Sequence, residues 1–219
     1  MNYRMLLFDF DGTLADSFPW FTRVLNDVAD RYRFNRIEPH EVELLRSYSG
    51  RQVMKHLDAS PWKIPFIAAH MRRLKARDID EVALFPGVPD MLRRLSDAGF
   101  TLGIVSSNAL ANVLHVLGPE TAGLVHHFEC GASIFGKRTR FQKLLRATGI
   151  PPAEALSIGD EIRDAEASRA AGIPFGAVSW GYTTPAALAR QQPAVLFTSV
   201  DQIAALVPHA GGRAGRTAR

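Results

Sequence analysis

The 219-residue sequence predicts an α/β fold, a doubly wound parallel sheet with an inserted α-helical segment. Three observations carry that expectation. Short, nearly continuous apolar runs recur along the chain, as in strands buried on both faces. Helical patterns alternate with them, and most end in glycine, the usual residue just past a helix C-terminus. The alternation fails only once, from about residue 16 to residue 83, where helical patterns follow one another with no convincing strand between them.

Taken in order, the first strand is YRMLLFDF. The insertion follows, and its first helix places Phe21, Val24, Leu25, Val28 and Tyr32 at helical spacing. Further helices are expected at PHEVELLRSY, GRQVMKHL and PFIAAHMRRLKAR, with His70, Met71 and Leu74 as packing residues rather than ligands. Beyond the insertion, strands are expected at FTLGIVSSN (100–108), ALSIGD (155–160), PFGAVSW (174–180) and AVLFTS (194–199). The helices around them are VPDMLRRLSDAG, ALANVLHVLG, RTRFQKLLRATG, RDAEASRAAG and PAALARQ. The chain therefore divides into an α/β core (1–15 and 84–209), a helical insertion (16–83) and a basic tail (210–219). In such a sheet the ligand site lies beyond the carboxyl ends of the strands.

Composition narrows the function classes. Hydrophobic residues make up 47% and charged residues 22%, enough for a real core, and no apolar run approaches the roughly 20 residues a membrane-spanning helix needs. Acidic residues begin by Asp9, no secretory leader fits, and a cytoplasmic address is expected. The net charge is +4, but GGRAGRTAR at the C-terminus holds Arg213, Arg216 and Arg219 and no acid. The rest of the chain is close to neutral, so neither a nucleic-acid nor a membrane partner is expected. The tail reads as disordered, and the oligomeric state, monomer or homodimer, stays open. The single Cys130 is expected to be inert, and His126–His127 lacks the spaced partners of a metal site.

The chemistry gathers where strands end. MLLFDFDGTLADS (5–17) delivers Asp9 and Asp11 two residues apart, able to point to one side, and Gly12 then allows a sharp turn. Two close carboxylates need a cation or a shared proton. Taken alone, D-x-D-G-T is also compatible with a turn that carries a solvated acid pair. A second cluster, SIGDEIRD, ends another strand and puts Asp160, Glu161 and Asp164 at the following turn, with Asp160 and Asp164 on one helical face. Five carboxylates converging on one sheet edge call for a hard divalent ion such as Mg²⁺. An all-oxygen set argues against zinc. GIVSSN places Ser106, Ser107 and Asn108 where hydroxyl and backbone N–H groups can grip an oxyanion, and SIFGKRTR supplies Lys137 before a helix. A capping hydroxyl and a surface lysine explain those two equally well.

In this order, DFDGT, IVSSN, GK and GDEIRD resemble the motifs of the haloacid dehalogenase-like (HAD) phosphohydrolases, in particular the phosphoglycolate phosphatase-like branch. LFPGVPDMLRRLSDAGF and VSWGYTTPAAL resemble connecting segments of that branch. The resemblance implies a Rossmann-like HAD core with the insertion as a cap, and a phosphatase acting on a small phosphorylated metabolite. It makes Asp9 the nucleophile that forms an aspartyl-phosphate and Asp11 the general acid and base. Mg²⁺ would be held by Asp9, the Asp11 backbone carbonyl, Asp160 and Asp164. Ser106 and Lys137 would neutralise phosphoryl oxygens, with backbone donors at Gly12 and Ser107 and a further contact from Asn108. Arg51, and Lys55 one turn later, are candidates for reading the leaving group, a solvated basic helix face being the plainer alternative. Arg138 stands where many relatives have proline, which leaves Lys143 as an alternative to Lys137. Competing readings are a phosphomutase, a phosphonate hydrolase using an insertion lysine such as Lys55 or Lys63, and a non-catalytic binding module.

Overall fold

The structure is a computed structural model and describes residues 3–131 and 136–207. The basic tail expected from residue 210 onward lies outside the described residues.

Six strands form one parallel sheet: β1 (Met5–Phe8), β4 (Thr101–Val105), β5 (His127–Glu129), β6 (Ala155–Gly159), β7 (Phe175–Val178) and β8 (Val195–Phe197). Their order is β5-β4-β1-β6-β7-β8. β1 lies between β4 and β6, and the chain winds outward from it in both directions, so the switch point of the sheet lies beside β1. The alternation within β1 shows why its run is apolar throughout. Leu6 and Phe8 join one hydrophobic cluster, while Met5 and Leu7 join another with Phe141 and Leu144. A strand covered on both faces has no side to give to polar residues.

Among the described residues five helices of the sheet domain follow the predicted patterns, α5 (Val88–Asp97), α6 (Leu110–Ala122), α7 (Lys137–Thr148), α8 (Ile162–Ala171) and α9 (Pro185–Ala189), and a sixth, α10 (Val200–Ala204), carries no such pattern. β5 was likewise not foreseen. It is an edge strand of three half-buried residues and lacks the apolar run that marks the inner strands.

The predicted insertion begins and ends on a two-stranded antiparallel ladder, β2 (Ala15–Asp16) against β3 (Ala83–Leu84). Between them lie α1 (Phe18–Tyr32), α2 (Val42–Leu45), α3 (Gly50–His56) and α4 (Ile64–Arg77). The stretch PHEVELLRSY forms only a short 3-10 turn at Pro39–Glu41 and the four-residue α2. These helices share a hydrophobic cluster of their own, centred on Leu25, Val28, Phe34, Leu45, Leu57 and Ile67.

Candidate active site

Strand register brings the predicted residues to one edge. Phe8 pairs with Ile104 on one side and Ile158 on the other, so the residues that follow, Asp9, Ser106 and Asp160, emerge at nearly one level. The Asp9 N–H donates to the Ile158 carbonyl at 2.8 Å, which continues the ladder by one residue and fixes the Asp9 side chain above the switch point.

Asp9, Asp160 and Asp164 are all buried, and each offers an oxygen within 4.8 Å of the others. Thr13 Oγ1 donates to Asp160 Oδ1 at 2.7 Å, and the Tyr182 N–H donates to Asp160 Oδ2, also at 2.7 Å. Asp164 sits in the first turn of α8, where the Glu161 N–H donates to its Oδ2 at 3.1 Å. Lys137, the first residue of α7, reaches Asp9 Oδ1 at 2.8 Å and Asp164 Oδ1 at 2.6 Å. Asp9 Oδ2 is buried and has no hydrogen-bond partner among the described residues.

Two glycines make this crowding possible. Gly12 has φ of +78°, and a Cβ there would fall 2.3 Å from Asp160 Oδ2 and 2.5 Å from the Tyr182 ring. At Gly159 a Cβ would lie 2.4 Å from Asp164 Oδ2, so only glycine lets the α8 carboxylate fold back against the end of β6.

The electrostatics follow from burial. Loss of water pushes the Asp9 carboxyl up to about 6; Lys137 pulls it back and Asp164 pushes it further up. Asp160 is held well above the ordinary carboxylate range, by burial first and then by Asp9, Glu161 and Asp164. Burial opposes the Lys137 charge, but Asp164 and Asp9 outweigh it and hold the ammonium above its usual value. The cluster is thus short of positive charge. An orphaned buried carboxylate oxygen amid three converging acids, with no nitrogen or sulfur donor, fits a hard divalent cation.

The convergence differs from the sequence expectation in two respects. Three of the five carboxylates meet, not five. The chain leaves β1 at Phe8 and curls through a tight turn, with the N–H groups of Leu14 and Ala15 both donating to the Phe10 carbonyl, so Asp11 does not keep strand alternation. Its side chain pairs instead with Lys75 of α4, and its Oδ2 accepts from Asn108 Nδ2 at 3.3 Å. Glu161 pairs with Arg163. Asp160 and Asp164 also do not share a helical face. Glu161 is the N-cap of α8, so Asp160 ends the strand side and Asp164 comes from the helix.

The remaining predicted residues surround this cluster. Ser106 is buried, and its Oγ accepts the Asn108 N–H at 3.1 Å, leaving the hydroxyl proton to donate elsewhere. Asn108 is buried and Ser107 half-buried. Lys143 is 65% exposed and pairs with Glu129, so Lys137 is the motif lysine that faces the carboxylates. Arg51 is exposed in the first turn of α3, next to Gly50, which lines a cavity of about 640 Å³. Phe18, Phe21, Leu45, Val53 and Met54 wall that cavity from the insertion, and Glu161 and Tyr182 wall it from the sheet domain. Lys55 is exposed, and Lys63 donates to the Tyr32 carbonyl at 2.7 Å within the insertion. Burial raises the Cys130 thiol to about 11, which keeps it a thiol at neutral pH. His126 Nδ1 accepts the Leu102 N–H at 3.1 Å, a structural role.

Sequence reasoning missed four residues. Thr13 stood in the quoted DFDGT motif but was given no role. Tyr182 stands in VSWGYTTPAAL. Its ring meets Phe18 and Phe21 edge-on at 5.0 and 5.4 Å, and its hydroxyl lies 3.0 Å from Ser17 Oγ. Arg46 donates to the carbonyls of Gly181 at 2.8 Å and Tyr182 at 3.1 Å, which joins the insertion to that loop. Lys75 carried no signal beyond a basic residue in the last turn of a helix, an ordinary place for one.

A family model described as haloacid dehalogenase-like hydrolase matches residues 6–178. The chain is 33% identical over 193 residues to the phosphoglycolate phosphatase of Synechococcus elongatus, covering 87% of this chain and 90% of that one. It is 30% identical over 199 residues to the phosphoglycolate phosphatase of Mesorhizobium japonicum, covering 84% and 86%. The crystal structure of a candidate phosphoglycolate phosphatase from Lactobacillus plantarum superposes with a TM-score of 0.80 at 25% identity, over 94% of this chain and 100% of that one. The chain belongs to the haloacid dehalogenase-like hydrolase family. Within that family it falls in the phosphoglycolate phosphatase-like branch and is a phosphatase. No described helix is long and apolar enough to cross a membrane.

Proposed function

We propose that the protein is a Mg²⁺-dependent phosphatase that hydrolyses a small phosphate monoester, phosphoglycolate or a sugar phosphate, through an aspartyl-phosphate on Asp9. The observation that carries this reading is the buried Asp9 carboxylate, which is braced by Lys137 on one oxygen and bare on the other, between Asp160 and Asp164. Asp9, the Asp11 carbonyl and Asp160 would hold the metal, with Asp164 binding directly or through water. Bound there, Mg²⁺ would offset charge on the phosphoryl oxygens and keep Asp9 ionised.

The chain's own residues supply the rest. An Asp9 oxygen attacks phosphorus as the ester P–O bond breaks, and Asp11 gives its proton to the departing alkoxide. Asp11 then takes a proton from the water that attacks the aspartyl-phosphate, which releases phosphate and restores the Asp9 carboxylate and the protonated Asp11 acid. Lys137 and the Ser106 hydroxyl, with backbone N–H groups near Gly12 and Ser107, hold the phosphoryl oxygens through both steps. The helical insertion acts as a cap that excludes water, and the leaving group enters the cavity between it and the Tyr182 loop, with Arg51 near its rim.

The test is phosphate release from a panel of phosphate monoesters, phosphoglycolate included, with and without Mg²⁺, for wild type and Asp9→Asn. Metal-dependent turnover lost in the variant is expected. Unchanged turnover in a folded Asp9→Asn protein would remove the proposed nucleophile.

A further inference from the structure

We propose that Lys75, delivered from the helical insertion, is a positioning residue that orients Asp11 toward the leaving oxygen, so that general acid catalysis is complete only when the insertion is docked. This rests on Asp11 serving as the general acid in the reading above.

The geometry is a two-sided grip. One Asp11 oxygen is paired with the Lys75 ammonium and the other accepts from Asn108 Nδ2. Asn108 is itself immobilised: its Oδ1 accepts from Asn112 Nδ2 and from the Ala109 N–H, both at 2.9 Å, and its carbonyl accepts the Gly131 N–H at 2.6 Å. The core thus fixes one oxygen of Asp11, and the insertion fixes the other.

Lys75 is as firmly held. Its side chain is only 11% exposed, and its ammonium donates to Asp11 Oδ1 in both states of the acid, as a charge partner while Asp11 is ionised and as a hydrogen-bond donor once Asp11 carries the leaving-group proton. The Lys75 ammonium stands 5.5 Å from the Trp20 ring centroid, and Trp20 Nε1 donates to Asp78 Oδ2 at 3.1 Å, where α4 ends. Lys75 therefore moves with the insertion. If the insertion swings away, Asp11 keeps Asn108 but loses the partner that fixes its orientation about that hydrogen bond.

A tie that merely holds the insertion in place would look similar in a static structure, so the test must report on proton donation. kcat/KM covers the steps through the first irreversible transfer, here phosphorylation of Asp9. An alkoxide leaving group needs a proton from Asp11, whereas a p-nitrophenolate leaves without one.

Wild type, Lys75→Met and Lys75→Arg are to be compared on a series of phosphate monoesters running from p-nitrophenyl phosphate to alkyl phosphates. Lys75→Met is expected to lose on the order of 10²-fold in kcat/KM on alkyl esters and under about 10-fold on p-nitrophenyl phosphate, which steepens the dependence on leaving-group pKa. Lys75→Arg, which keeps a cation, falls between the two and serves as the reading if Lys75→Met does not fold. Equal losses across the series, or no loss, would overturn the assignment and leave Lys75 a structural tie or nothing. A wild-type protein that releases phosphate from no ester would overturn the phosphatase reading itself and this assignment with it.

Discussion

Replacing Lys137 with methionine tests the charge balance of the site directly. Methionine keeps much of the apolar stem and removes the ammonium that stands 2.8 Å from Asp9 Oδ1 and 2.6 Å from Asp164 Oδ1. Without it the two buried carboxylates cannot both stay ionised, and one must take up a proton. Keeping neutral a carboxyl that ordinarily titrates near 4 costs about 1.4 kcal/mol for each pH unit above that value. At pH 7 this amounts to about 4 kcal/mol, but the wild-type Asp9 carboxyl already stands at about 6, so the wild type bears most of that cost itself and the variant falls below it by about 1 kcal/mol. The sign is fixed by the direction of the shift. A carboxyl whose folded-state pKa is raised above its unfolded value loses stability as pH rises; in the wild type that loss levels off above about pH 6, and in the variant it continues. The deficit is therefore near zero at pH 5 and about 1 kcal/mol at pH 7. For a chain of this size the larger figure corresponds to a fall in Tm of about 2–4 °C. Urea unfolding in EDTA at pH 5 and pH 7 measures both values, and added Mg²⁺ is expected to narrow the gap at pH 7 by restoring positive charge. A deficit equal at the two pH values, or none at pH 7, would show that Lys137 does not neutralise this cluster.

Two further predictions rest on neighbouring contacts. Thr13→Val removes the hydroxyl that donates to Asp160 Oδ1 while keeping the side chain's shape, so the Mg²⁺ concentration for half-maximal activity is expected to rise about 10–100-fold. An unchanged metal requirement would mean that Asp160 is oriented without Thr13. Asp78→Asn weakens the bond from Trp20 Nε1, with an expected loss of about 1 kcal/mol at pH 7 by urea unfolding. Hydrogen bonds from Arg77 and Trp20 hold the Asp78 carboxyl down at about 2, so its contribution is present above pH 4 and fades as pH falls toward 2, where variant and wild type should converge. A difference that persisted at pH 2 would point to packing rather than to the charge.

The sequence by itself determined five of the six described strands of the sheet and the order of the strand-end residues. Strands such as β1 are buried on both faces and must read as continuous apolar runs, and the polar residues that interrupt those runs mark where strands leave the core. That is why Asp9, Ser106 and Asp160 were legible as strand-end residues, and why Gly12 was legible as a turn. What failed in the reading were features that depend on direction rather than on type. The alternation rule placed Asp9 and Asp11 on one side, but β1 ends at Phe8 and the turn that follows sends Asp11 toward the insertion. The helical rule placed Asp160 and Asp164 on one face, but α8 begins only at Ile162.

Tertiary structure alone decided the partners. Thr13 and Asp160 are 147 residues apart, and Lys75 and Asp11 are 64 apart, with no periodicity to connect either pair. A lysine at the end of an exposed helix and one that pairs with Asp11 carry the same local signal, because a side chain's role depends on where its element docks, and docking is set by surfaces far apart in the chain. The short sequence motifs specify which groups can do the chemistry; the register of the sheet and the docking of the insertion onto it set which of them meet.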